Sequence, residues 1–370
     1  MDNPEKIELA KLQTALVMAN QPFVSYRLPG QKNPVTVFGA DRFQEFNTIE
    51  EVLHQNKGFV LAPFAEGKPI LWLKEVNVSE GYKADIKWLN GLTEVKIPLG
   101  KPDIPLTCKD HYKQKIEKAI DYIKRGKAGK IVISRQLLRK WPGAFQKIGS
   151  LFKYLCDAYP NAFIYVANVP GSGIWAGASP EILLKSEKGS ITTMSLSGTR
   201  KYQTGNSDWG RKEIEEHLWV SRFVAESLEK SGCTELQISP LHTVRAGAVE
   251  HLQTDYLATC KTDLVPQLLK TLHPTPAVCG WPTPVARQLI GEIENYDRSY
   301  YTGYLGLVED STSFNLFVNL RCMHLTGNHA VIYAGGGITS DSDPETEWEE
   351  TELKSRTMLG AIENLTNFAD

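Results

Sequence analysis

Two pairs of glutamates carry the most chemistry in this chain of 370 residues. Glu213 and Glu216 lie three apart in Lys212-Glu213-Ile214-Glu215-Glu216-His217, and Glu347 and Glu350 three apart in Glu347-Trp348-Glu349-Glu350-Thr351-Glu352-Leu353-Lys354. On a helix, residues at i and i+3 share a face, so each pair can aim two carboxylates at one point. Carboxylates held that close repel unless positive charge lies between them. An all-oxygen ligand set suits a hard cation such as Mg2+. The second pair follows Gly335-Gly336-Gly337, read here as a turn, and Lys354 stands four residues beyond Glu350. A metal, exposed backbone N–H groups and an ammonium together make a site for a small anionic substrate.

The plain alternative is a solvated acidic helix. Residues 341–352 hold seven acids and no base, and Asp343-Pro344 can open such a helix with no site attached. A calcium loop is a third reading, since Asp341, Asp343, Glu345 and Glu352 fall at EF-hand positions 1, 3, 5 and 12. That loop needs glycine at position 6, where this chain has Thr346, so the EF-hand fails.

Other residues sit where strands begin or end. Lys130 immediately precedes the apolar run Ile131-Val132-Ile133. Such a lysine can snorkel outward; enclosed and desolvated, it becomes a usable general base. Glu181 closes the turn Gly177-Ala178-Ser179-Pro180 and opens Ile182-Leu183-Leu184, where apolar neighbours suit a carboxyl to act as a general acid. Gly198-Thr199-Arg200 ends another candidate strand and offers backbone and hydroxyl donors. Tyr301 and Arg321 follow turn and strand signals, and an arginine there can grip a carboxylate bidentately, though a surface salt bridge is its commoner fate. His251 reads as a ligand or as a hydrogen-bonded structural histidine. There is no G-x-S-x-G elbow, no P-loop and no G-x-G-x-x-G after a strand, so hydrolase, NTPase and dinucleotide readings lack support.

Composition narrows the partners. A net charge of −2 without a basic stripe argues against nucleic acid or an anionic membrane. The six cysteines are scattered singly with no C-x-x-C spacing, which indicates reduced thiols and a cytoplasmic location. The start of the chain is polar, with Asp2, Glu5, Lys6 and Glu8, and lacks a signal-peptide core. No stretch approaches the ~18 apolar residues of a membrane span.

Positioning these groups requires a mixed fold. Residues 1–105 show short strand-like runs at Val35–Phe38, Gly58–Ala62 and Ile70–Leu73, and Pro102 and Pro105 mark a connector to the remainder, 106–370. Beyond it, strands are expected at Ile131–Ile133, Phe163–Val166, Ile182–Leu184, Tyr304–Val308, Leu316–Leu320 and Ala330–Tyr333. Helices are expected near 109–127, 208–230, 262–272, 283–296 and 344–366. Strands grouped in antiparallel fashion rather than in βαβ alternation favour an α+β fold.

Taken in order, these pieces resemble the chorismate-utilising enzymes: isochorismate and salicylate synthases, and the large subunits of anthranilate and aminodeoxychorismate synthases. The likeness covers residues 105–362. It runs through Lys130-Ile131-Val132-Ile133-Ser134-Arg135, Gly177–Glu181, Ser197-Gly198-Thr199-Arg200, Glu213-x-x-Glu216-His217 and His251-Leu252. It continues through Thr275–Gly280, Tyr301-Thr302-Gly303, Arg321, Ala334–Ile338 and Glu347-x-x-Glu350-x-x-x-Lys354. Each motif alone is weak, but together and in register they are specific. The resemblance implies a single large domain, a β-sandwich of two mostly antiparallel sheets flanked by helices, with the site in a deep cleft. It implies Mg2+ held by Glu213, Glu216, Glu347 and Glu350. It places Tyr301, Arg321 and the Gly335–Gly337 backbone on the substrate's enolpyruvyl carboxylate, and Lys354 and Thr199 near its ring carboxylate. Gly198 and His251 complete the substrate-binding set.

The branches of the family divide on the nucleophile. Aminodeoxychorismate synthases use a lysine two residues before the threonine of the G-T motif, and here that place is Ser197. Anthranilate synthases carry an arginine- and aspartate-rich helix where this chain reads Leu218-Trp219-Val220-Ser221-Arg222-Phe223. Water is therefore the expected nucleophile, deprotonated by Lys130 for attack at C2 of chorismate while Glu181 protonates the departing C4 hydroxyl. The expected activity is isochorismate synthase, an isomerase serving menaquinone or siderophore synthesis. Salicylate synthase is the nearest rival, and a non-catalytic anion- or metal-binding protein of the same fold the remote one. Ser197 departs from the alanine common in isochorismate synthases. Beyond chorismate no partner is expected, the chain acting as a monomer or weak homodimer.

Overall fold

The computed structural model describes residues 5–97, 108–202, 208–247 and 249–367. Among these, the strands form two large antiparallel sheets, of nine and ten strands, and one two-stranded pair, Lys6–Glu8 with Lys83–Asp85. The first sheet runs Gly280–Trp281, Lys130–Lys140, His329–Ile338, Cys322–Thr326, Gly173–Ser179, Phe163–Val169, Phe23–Arg27, Val35–Phe38, Asn77–Glu80. The second runs Thr234–Ile238, Val249–Thr259, Ser190–Lys201, Ile182–Glu187, Ser313–Val318, Tyr304–Asp310, Gly58–Ala62, Ile70–Lys74, Gln44–Phe46. A further strand, His242–Ala246, pairs with Val249–Thr259.

Side-chain alternation explains why the sheets stack. In Phe163–Val169, Phe163, Tyr165 and Ala167 enter one core while Ile164 and Val166 enter another. The first core lies between the sheets, where Phe163 stacks on Phe317 with centroids 4.1 Å apart and Tyr26 meets Phe59. The second lies outside the first sheet, under helices Leu9–Met18, Ile148–Ala158 and Pro344–Asn367. Helices Arg211–Lys230 and Val265–Leu272 cover the outer face of the second sheet through Val224, Leu228, Leu268 and Leu272. Helices Lys109–Lys124 and Thr283–Glu294 close over Ile131, Ile133 and Ile338. The result is the expected α+β architecture, with helices flanking a two-sheet sandwich.

Strands from residues 5–97 are hydrogen-bonded into both sheets. Ile164 pairs with Arg27 in the first and Tyr304 with Ala62 in the second. The connector expected at Pro102 and Pro105 lies outside the described residues. All six cysteines are free thiols, and no described helix is long and apolar enough to cross a membrane.

Candidate active site

Two chain crossings between the sheets place the key polar residues. Glu181 lies where the chain passes from Gly173–Ser179 in the first sheet to Ile182–Glu187 in the second. Arg321 lies on the return, between Ser313–Val318 and Cys322–Thr326, with a left-handed φ of 46°. The crossings are bonded side by side: Val318 N–H donates to the Glu181 carbonyl at 3.0 Å and Ala178 N–H to the Arg321 carbonyl at 3.1 Å. Glu181 is 2% exposed. Burial pushes its carboxyl up to about 8, against the opposing pull of Lys130 and Lys354.

Lys130, with 0% exposure, opens strand Lys130–Lys140. Its Nζ lies 2.8 Å from Glu216 Oε1, in ion-pair contact but off the line of a hydrogen bond. Gly335-Gly336-Gly337 is not the turn expected from sequence. It lies within strand His329–Ile338, with Gly337 opposite Val132 and Gly335 opposite Ser134. A three-glycine run reads as a turn, but here it leaves room for charged groups. A Cβ at Gly337 would come within 2.5 Å of Glu216 Oε1 and 2.6 Å of Lys130 Cε, and one at Gly336 within 2.9 Å of Glu347 Oε2.

The acidic pairs lie at the starts of two helices, Glu213 and Glu216 in Arg211–Lys230 and Glu347 and Glu350 in Pro344–Asn367. Each of three carboxylates meets an ammonium. Lys130 faces Glu216, Lys354 donates to Glu350 Oε1 at 2.6 Å, and Lys212 donates to Glu347 Oε1 at 2.6 Å. Lys354 also donates to the Gly335 carbonyl at 3.0 Å. Glu347 is 1% exposed. Ser342 donates to its Oε1 at 2.7 Å, and its Oε2 is buried without a partner. Burial first, then Glu350, push the Glu347 carboxyl up to about 7, against Lys212. Among the described residues no three His, Cys, Asp or Glu side chains converge closely enough to hold a metal as they stand. The donor set nevertheless fits a hard divalent cation: oxygen ligands only, one of them a buried carboxylate oxygen with nothing to bind.

Strand Ser190–Lys201 changes register between Ser197 and Arg200, and Gly198 takes a φ of 64°. Such a bulge re-aims backbone and side chains beside a site. It turns the Gly198 carbonyl to His251 Nδ1 at 2.8 Å, with Thr199 Oγ1 at 3.3 Å from the same nitrogen. His251 Nε2 accepts from Arg321 Nη2 at 3.0 Å. Burial, then Arg321 and Lys354, lower the His251 pKa to about 3, so the ring is neutral with Nδ1 as its donor. Tyr301 is buried and stacks on Tyr333 with centroids 5.2 Å apart.

These groups surround a cleft. Glu181, Gly198, Thr199, Glu216, His251 and Tyr301 face it, as do Arg321, Gly335–Gly337 and Lys354. Lys130 stands behind Gly337. Glu213, Glu347 and Glu350 lie outside the lining, the last two against Gly336. A sequence model described as chorismate binding enzyme matches residues 100–363. The chain belongs to the chorismate-binding enzyme family.

Isochorismate synthase DhbC of Bacillus subtilis (strain 168) is 30% identical over 276 residues, covering 70% of this chain and 69% of that protein. Isochorismate synthase MenF of the same strain is 30% identical over 266 residues, and the alignment spans 56% of its length. Among solved structures, the menaquinone-specific isochorismate synthase MenF of Escherichia coli superposes with a TM-score of 0.76 at 21% identity, covering 97% of this chain and 94% of that one. Anthranilate synthase component I from Streptococcus pneumoniae TIGR4 gives 0.67 at 19%, covering 89% and 92%. At these identities the structures share the fold, and the fold alone does not separate the chorismate-binding branches.

Several groups at or behind this cleft were given no catalytic or binding role from the sequence. Lys212 adjoins the first acidic pair, yet its reach to Glu347 depends on the packing of two distant helices. Ser197 faces the cleft, its Oγ 3.1 Å from Nδ1 of the buried His217. Arg298 holds both Glu294 oxygens at 2.8 and 2.6 Å and donates to the Val132 and Val278 carbonyls at 2.7 and 2.9 Å. Glu294 Oε1 also accepts from Ser134 N–H at 2.6 Å. This clamp fixes the strand that carries Lys130. Glu294 and Arg298 lie four apart in sequence, but no local signal marks the backbone groups they reach.

Proposed function

We propose that this protein is an isochorismate synthase, converting chorismate to isochorismate with Mg2+. The observation that carries the reading is Glu181, buried and facing the cleft with its carboxyl raised to about 8 so that it holds a proton near neutrality, with the buried Lys130 just behind Gly337 of the same cleft wall. Two relatives at 30% identity bear the name isochorismate synthase, which supports the same branch.

In this reading Lys130 takes a proton from water as its oxygen bonds to ring C2. The ring electron pairs shift, the C4–O bond breaks, and Glu181 protonates the departing hydroxyl, releasing one water for the one consumed. Arg321, aimed by His251, and Tyr301 hold the enolpyruvyl carboxylate. Glu213, Glu216, Glu347 and Glu350 would hold Mg2+, which when bound neutralises the ring carboxylate and favours loss of the C4 hydroxyl. Ser197 offers no amine, so nitrogen transfer through a covalent enzyme amine has no group to carry it.

Incubation of the purified protein with chorismate and Mg2+, with products resolved by chromatography, tests this. Isochorismate is expected. Salicylate with pyruvate would move the chain to the salicylate synthases, and no turnover would leave it a binding protein.

A further inference from the structure

Lys212 occupies a place that the mechanism does not use. It is the second residue of helix Arg211–Lys230, whose own carboxylates include Glu213 and Glu216, yet its ammonium crosses to Glu347 on helix Pro344–Asn367 at 2.6 Å. Glu347 lies with Glu350 against Gly336, so the ammonium stands beside carboxylates assigned above to the metal. Lys212 does not face the cleft. Its side chain is 29% exposed whereas that of Glu347 is 1% exposed, so the lysine has an open path to solvent that its partner lacks.

Without an opposing cation, Glu347 would be a buried carboxylate beside Glu350, an arrangement that strongly disfavours ionisation. Lys212 satisfies Oε1 and leaves Oε2 bare. We propose that Lys212 is an internal stand-in for the divalent cation: its ammonium holds Glu347 in place in the metal-free protein and is displaced when the ion binds. The inference rests on the reading that Glu213, Glu216, Glu347 and Glu350 hold Mg2+. It adds that the affinity of this site is set by competition between the ion and a lysine of the same chain.

A charge-assisted hydrogen bond to a buried group, discounted for the partial exposure of Lys212, corresponds to about a tenfold change in an equilibrium constant. Calorimetric titration with MgCl2 in the absence of substrate is the test, on wild type and on Lys212→Met, Lys212→Arg and Glu347→Gln. Lys212→Met should bind Mg2+ about tenfold more tightly, and its metal-free form should melt at a lower temperature than wild type, with the difference removed by saturating Mg2+. Lys212→Arg, which keeps the charge, should restore wild-type or weaker affinity. If wild type binds Mg2+ and Glu347→Gln does not, but Lys212→Met binds equally or more weakly, Lys212 is a strut and the competition is overturned while the metal reading stands. If wild type binds no Mg2+, or Glu347→Gln binds it as well as wild type, the metal reading falls and the stand-in with it.

Discussion

Arg321 is aimed by a histidine that carries no charge: Nη2 donates to His251 Nε2 at 3.0 Å while the opposite ring nitrogen is tied to the Gly198 carbonyl at 2.8 Å. A protonated ring could not accept from a guanidinium, so the depressed pKa of His251 is a condition of the geometry. The bulge at Gly198, the ring and the arginine form one rigid chain ending in the cleft.

The first prediction concerns that chain. His251→Phe removes the acceptor and frees the Arg321 fork to turn. Loss of one hydrogen bond to a charged group corresponds to about a tenfold weaker grip on the substrate carboxylate. Steady-state kinetics should show KM for chorismate rising by about that factor with a smaller change in kcat. An unchanged KM would mean that Arg321 does not depend on His251 for its aim.

Glu181→Gln should fold normally and lose about 10²–10⁴-fold in kcat, the usual contribution of one positioned proton donor. In wild type the acid is raised to about 8, so kcat/KM should fall as pH rises through that value. The stability consequence has the same direction. A carboxyl raised on folding stabilises the protein below its ordinary unfolded value and loses that contribution as pH climbs to about 8. Urea denaturation between pH 5 and 9 should therefore show a weaker pH dependence in Glu181→Gln than in wild type.

Arg298 and Glu294 make a nearly solvent-free ion pair whose other hydrogen bonds reach the backbone at Val132, Val278 and Ser134. Removing one partner strands the other charge, at a cost of about 3–5 kcal/mol. Arg298→Met should lower the urea midpoint accordingly. Replacing both residues by apolar ones should recover part of the loss.

Gly337→Ala would bring a methyl within 2.5 Å of Glu216 and 2.6 Å of Lys130. One of the two must move, and a shift of about 1 Å at a reacting group costs about a hundredfold in rate. The variant should keep its circular dichroism spectrum and lose activity on that scale. Gly360→Ala, with open space around the added methyl, serves as the control.

Chelation is the last test. Treatment with EDTA should abolish turnover of chorismate, and MgCl2 should restore it in wild type but not in Glu350→Gln. Full activity in EDTA would remove the metal from the mechanism.

The fold explains what the sequence could and could not reveal. Helices Lys109–Lys124, Arg211–Lys230 and Pro344–Asn367 fall close to where charge and periodicity place them. The strand after Lys130 was equally plain, because Ile131-Val132-Ile133 is buried on both faces. Helix Leu9–Met18 was hidden in a region that reads as strands. Its buried positions Leu9, Leu12, Leu16 and Val17 do carry a helical period, but the run is short and interrupted by Lys11 and Thr14. The glycine run was misread because Gly-Gly-Gly marks a turn locally, whereas its requirement here comes from carboxylates on two distant helices. The Glu294–Arg298 clamp was hidden for a similar reason, since the Val132 and Val278 carbonyls it holds are brought near only by tertiary packing.

The interleaving of early and late strands bears on how the chain is made. Gly58–Ala62 pairs on one edge with Ile70–Lys74, a neighbour in sequence, and on the other with Tyr304–Asp310, which leaves the ribosome only after most of the chain. Phe23–Arg27 waits in the same way for Phe163–Val169. Such long-range pairings slow folding through their high contact order. During synthesis the apolar edge Gly58-Phe59-Val60-Leu61-Ala62 is therefore an unpaired template, and a nascent chain stalled before residue 304 exposes it to other copies of itself.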